Sequence, residues 1–249
     1  MIRKAAAWAG FALFLAWCVS VVSPDFGRLV AGLPRLARYL VHAFPPDFSD
    51  PADLARRASE TVAIATLGTV AAAIAALPLA VLAARPVAPL PVLYHPVRGL
   101  LDVLRGVDGF VFALILVAAV GLGPFAGMLG VALHTTGSIA KLWSEALEAA
   151  DLAPVEAALS ANASRAQAAT VVLLPETLPN TCSGVLYMWE FNIRASTVLG
   201  VVGAGGLGQE LKNAVDLLDF ARVLAILLII IALVLTVDRL SASLRRRLL

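Results

Sequence analysis

Apolar positions fall into six long runs separated by polar, proline and glycine breaks, at about 5–22, 61–84, 106–120, 125–140, 178–201 and 223–237. A helix needs roughly 17–25 apolar residues to cross the hydrocarbon core, and the shorter runs reach that length when their ends extend into the interface. Backbone groups in lipid must be bonded internally, so each run predicts a helix. Gly121-Leu-Gly-Pro124 separates the third run from the fourth, and Pro78 predicts a kink in the second. The pattern predicts an all-α integral membrane protein with about six transmembrane helices.

The first run follows Met1-Ile-Arg-Lys and has the look of a signal peptide. Pro24 just past the plausible cut, and Trp17 before Cys18 where a lipoprotein signal wants a small residue, favour a retained helix. Beyond it, Leu29, Leu33, Leu36, Leu40 and Phe44 recur at helical spacing, with Arg28, Arg35 and Arg38 elsewhere on the turn. This predicts a basic amphipathic segment lying on the membrane surface, with Gly32 and Pro34 arguing against a regular helix. Residues 1–59 form one expected region, a helix plus this periplasmic segment, and 60–249 the core.

Composition agrees with lipid as the solvent. Hydrophobic residues make up 60% and charged residues 14%, against about 25% charged in a soluble domain. A net charge of +2 is no nucleic-acid footprint. Two cysteines and three scattered histidines offer no zinc spacing. With the N-terminus inside, eleven of the 19 basic residues fall on the inner side and seven on the outer. That bias, with the Arg-rich tail, predicts both termini in the cytoplasm.

The inner loop at about 141–179 is the most informative stretch. Pro154 suits the first turn of a helix, Asp151 its cap, and Glu156 the positive end of its dipole. Ala157, Ala158 and Ala161 give it a smooth face that fits a groove on a partner, and Asn162 suits a left-handed terminus. A plain helical hairpin is the alternative.

Glu156-Ala157-Ala158, then Asn162, Val172, Leu174 and Pro175 keep the full spacing of Glu-Ala-Ala-x3-Gly-x9-Ile-x-Leu-Pro. This resembles the EAA signature of bacterial ABC importer permeases, with Asn162 standing where that family usually has Gly. Glu60-Thr61, Leu77-Pro78-Leu79-Ala80 and the Gly200–Gly208 segment extend the resemblance. Within the family, Val120–Gly127, His134-Thr-Thr-Gly137 and Glu190-Phe-Asn-Ile-Arg194 are similar to the phosphonate-type permease. Arg105-Gly-Val-Asp108 departs from the Arg-x-x-Pro common in relatives, leaving the start of the third helix open with Asp108 as a possible cap.

The resemblance implies a MetI-like core in the bacterial inner membrane, paired with a second permease copy. It implies cytoplasmic ATPase subunits that carry ATP and Mg and grip the loop through Glu156, Ala157, Ala158, Asn162, Leu174 and Pro175. A periplasmic solute-binding protein would deliver phosphonate or a related phosphorus oxyanion. Methionine, phosphate and phosphite remain alternative solutes, and a secondary transporter is the rival from another class.

Glu190 and Arg194 are four apart inside the fifth run, hence on one helix face. An intramembrane charge costs about 2.5–3.5 kcal/mol on insertion scales, so such residues pair or face a wet cavity. They are either a structural ion pair or, with Asn192, the border of an oxyanion route, since the Arg fork matches such oxygens. Arg105 and His134 are further pathway candidates. Gly203-Ala-Gly-Gly-Leu-Gly208 fits G-x-G-x-x-G but lacks a strand–turn–helix context, leaving a close-packed turn or an anion-binding nest. Neither a Walker motif nor a hydrolase motif is present, so no catalytic residue, cofactor or metal is expected on this chain.

Overall fold

A computed structural model describes residues 2–85, 88, 91–151, 153–164, 167 and 169–248. They form helices with no strand among the described residues. Contacts divide the chain into two compact units, 1–45 and 46–249.

The first unit holds α1 (Ile2–Val22) and α2 (Phe26–His42). Asp25 caps α2, its carboxylate accepting from the Arg28 N–H at 2.9 Å. Helix α2 runs through Gly32 and Pro34 without a break, so the irregularity expected there is absent. Pro34 falls in the third turn of a helix that buries no residue, and solvation can satisfy the carbonyl its ring leaves unpaired.

The second unit starts with α3 (Pro51–Leu82), capped by Asp50 and continuous through Pro78. Its alanines 65, 72, 76 and 80 are buried, giving a smooth stripe on which neighbouring helices approach closely. Next come α4 (Tyr94–Gly106) and α5 (Gly109–Val120), bent 90° apart. The apolar runs leave 85–105 without a helix; in the structure α4 forms there and packs Leu101 into the core beside Ile139 and Met188. Asp108 is the helix cap between them, accepting from the Phe110 N–H at 2.8 Å.

Helix α6 (Pro124–Ala149) is the central element and touches α3, α4, α5 and the later long helix. A Cβ on its Gly130 would lie 2.8 Å from the Ala113 nitrogen, so only glycine permits this approach of α5. After α7 (Ala153–Ser160) a π-helical turn, Ala169–Leu173, leads into α8 (Leu174–Leu199). The chain closes with α9 (Gly206–Asp216) and α10 (Phe220–Leu248).

By length and composition α3 and α10 can each cross a membrane. The bent pairs 10–22 with 26–42 and 91–106 with 109–120 pass the same test jointly. Helices α6 and α8 have 26 residues each, about 39 Å at 1.5 Å per residue, but break their apolar runs with polar groups. The expected count of about six is compatible with this set.

Candidate functional site

The loop signature folds as its residue types dictate. Asp151 caps α7, its carboxylate accepting from the Ala153 N–H at 2.9 Å. Asn162 ends the helix at φ +67°, with the Ala163 N–H reaching back to the Ala158 carbonyl at 3.1 Å. This six-to-one bond is the Schellman closure, normally given to glycine, and Asn tolerates it better than other side chains. Glu156 and Ala157 face solvent and Ala158 is half-buried. Val155 packs instead on the bundle, against Ala84, Leu147 and Leu173. Leu174 and Pro175 open α8, both exposed. The neighbouring Glu176 accepts from the Asp151 N–H at 3.4 Å, tying the two ends of the loop.

Beside this seat lies a cluster that sequence reading missed. Glu148, in the last turn of α6, accepts from the Arg85 backbone N–H at 3.1 Å and the Tyr94 hydroxyl at 3.3 Å. Arg98 of α4 donates to both of its oxygens at 3.0 Å. Arg98 also contacts the Tyr94 hydroxyl, and the guanidinium groups of Arg85 and Arg98 stand 5.0 and 5.1 Å from the Tyr94 ring centroid. Burial opposes ionisation of Glu148, but the Arg85 N–H, Arg98 and Tyr94 outweigh it and hold the carboxyl below its usual range. Its stabilisation is therefore present above the ordinary Glu value and is lost as pH falls through the lower folded one. Only Arg85 and Arg98 flanking Tyr94 hinted at it in sequence, with no sign of the partner 50 residues beyond Arg98.

The expected pathway residues divide. Arg194, Asn192 and His134 line one cavity of about 290 Å³ between α5, α6 and α8, with Asp108, Phe110 and Phe191. The His134 ring donates from Nδ1 to the Val107 carbonyl at 2.9 Å, since a carbonyl can only accept. Asn192 is 1% exposed: its amide nitrogen donates to Thr69 at 2.8 Å and to Thr135 at 3.0 Å. Arg105 stands apart from the cavity, exposed and 3.9 Å from Asp102. Glu190 is enclosed by cations, 3.2 Å from Arg194 and 3.0 Å from Arg245. Arg194 also lies 3.6 Å from Asp238 of α10, while its side chain stays 44% exposed. The arrangement therefore has both expected characters, an ion-pair network and a partly free guanidinium at a cavity. Arg245 and Asp238 were invisible in sequence because they come from a helix some 50 residues away.

The glycine segment is a packed turn. The Gly206 N–H donates to Glu60 at 3.2 Å and the Leu207 N–H to Thr61 at 2.9 Å. These two amides are satisfied by the chain's own side chains, which fill the place an anion would take in a nest.

The sequence pattern of the family described as binding-protein-dependent transport system inner membrane component matches residues 76–249. The chain belongs to this family. It is 40% identical over 237 residues to the phosphite transport system permease protein PtxC of Stutzerimonas stutzeri, covering 95% of this chain and 86% of that one. It is 38% identical over 205 residues to the phosphate-import permease protein PhnE of Mycolicibacterium smegmatis, covering 82% of this chain and 38% of that one. In fold it is similar to the MetNI methionine ABC transporter in an inward-facing conformation, with a TM-score of 0.71 at 23% identity, over 81% of this chain and 100% of the other. As a permease of the ABC importer family, the chain is an inner-membrane transport component rather than an enzyme, and its class works with an ATPase and a binding protein. The loop carrying α7, α3 from Ala76 and the helices lining the cavity, α5, α6 and α8, all lie within the matched region.

Proposed function

We propose that this permease conducts phosphorus oxyanions, phosphite, phosphate or phosphonate, and is driven through α7 by a cytoplasmic ATPase that carries ATP and Mg. The observation that carries the reading is α7 itself: a capped helix that turns Glu156 and Ala157 to solvent while Val155 holds it to the bundle. The names of PtxC and PhnE support the solute class. Two copies of the chain enclose the route, a periplasmic binding protein delivers the solute, and rocking of the two halves alternates access. Affinity then rests mainly in the binding protein, and the permease offers a weak, wet, mildly positive passage. Arg194 borders that passage, with its charge held in check by Glu190 and Asp238 so that an anion can leave as well as arrive.

Reconstituted with its ATPase and binding protein, the chain is expected to import a phosphorus oxyanion when ATP is added. Arg194→Ala is expected to reduce import roughly tenfold, the effect of losing about 1.4 kcal/mol of charge-assisted bonding, with membrane accumulation unchanged. ATP-independent import, or import of none of the three anions, sinks the reading. An equal fall in import and accumulation assigns Arg194 to structure alone. The excess of basic residues on the inner side supports a reading with both termini in the cytoplasm, and a reporter fused after Leu249 is then expected to read cytoplasmic. A periplasmic readout overturns that topology.

A further inference from the structure

Two short segments serve α7 and α4 at once. Ala84 and Leu147 face Val155 of α7. The residue after each, Arg85 and Glu148, makes the other contact: the Arg85 N–H and Arg98 of α4 meet on the Glu148 carboxylate. A displacement of α7 therefore cannot shift its seat without shifting Glu148.

Three of the places where α4 is held bear on this link. Glu148 grips the helix at Arg98. Near its far end Gly137 of α6 bears directly on Leu104 and Arg105, with no side chain between. Past that end the Val107 carbonyl accepts from His134, and Asp108, which caps α5, stands in the cavity wall with Arg194. From Arg98 to Arg105 the helix rises about 10 Å at 1.5 Å per residue. A grip at one end, a bearing near the other and the cavity wall beyond make a lever.

We propose that the Glu148–Arg98 pair is the positioning link that carries displacement of α7 through α4 to the Asp108–His134–Arg194 cavity. The inference rests on the docking of α7 stated above. It differs from a merely structural ion pair, for which α4 supplies a comparison: Asp102 pairs with Lys141 of α6 at 3.1 Å, away from the seat of α7.

The test uses the full chain with its ATPase subunits in lipid nanodiscs. Cys18 and Cys182 are replaced by Ser, and a cysteine at Val198 in the cavity wall is labelled with a maleimide, with and without ATP. ATP is expected to change the labelling rate of the parent chain about tenfold, the scale of ordinary allosteric coupling. Glu148→Gln and Arg98→Gln are expected to cut that response to under about twofold with ATPase still bound, and the reversed pair Glu148→Arg with Arg98→Glu to restore much of it. Asp102→Asn is expected to leave the response intact. A full response in both single variants overturns the inference, as does a bound ATPase with no ATP response in the parent. Parallel loss of ATPase binding and response in both single variants makes the pair structural and overturns it too. Failure of the parent chain to hold ATPase at all overturns the docking reading instead.

Discussion

Glu156→Lys is expected to abolish ATP-driven uptake while the chain still reaches the membrane in normal amount. Glu156 sits in the first turn of α7 and faces solvent, so the bundle loses no packing when it changes. Exposed substitutions of this kind move stability by only about 0.5 kcal/mol either way. The new ammonium would also meet the positive end of the helix dipole, a further cost of about 0.3–1 kcal/mol. On a docked surface the same change reverses a charge at the centre of a small contact, where single side chains carry about 2 kcal/mol or more. Uptake is therefore expected to fall at least thirtyfold or so, and copurified ATPase with it. Membrane blots, copurification and uptake in one strain measure all three quantities. Wild-type uptake with normal ATPase recovery would remove α7 as the point of attachment.

Gly137→Leu is expected to damage the fold itself. A Cβ at this position would lie 2.6 Å from the Arg105 nitrogen and 2.7 Å from the Leu104 Cβ, and the first of these belongs to a helical backbone that cannot yield alone. Helix α4 must move as a body, which would disturb the Arg98–Glu148 pair and the burial of Leu101. Overpacking of this sort costs about 1–3 kcal/mol, more than the ~1 kcal/mol of helix propensity that losing a glycine gains. At the upper end of that range, where a clash with backbone belongs, the net loss is about 2 kcal/mol; each kcal/mol is worth about 2–4 °C for a chain of this size, so the thermal midpoint in detergent is expected to fall by about 4–8 °C. An unchanged midpoint would mean that α4 and α6 do not meet as closely as described.

What sequence made legible was local. Asp151 and Asn162 each fix an end of α7 within a few residues, and Pro154 falls in its first turn, so the loop could be drawn from residue types alone. The apolar runs located most helices because lipid leaves the backbone no other choice. The misses have a common physical origin. Helix α4 is short and half polar, and only its packing on α6 makes it a helix rather than a loop. The grip of Glu148 on Arg98 joins residues 50 apart, and that of Arg245 on Glu190 joins residues 55 apart. The same holds for the Gly206 and Leu207 amides, whose acceptors lie 146 residues upstream. Composition could say that such groups need partners, but not which ones.

The amide of Asn192 has a mechanical consequence. It fastens α8 to Thr69 of α3 and Thr135 of α6 where no water competes. Sliding any of these three helices by one residue would strand a donor with nothing to meet it. The trio is thus keyed against slippage and behaves as a keel. Whatever swings during a transport cycle must swing around it.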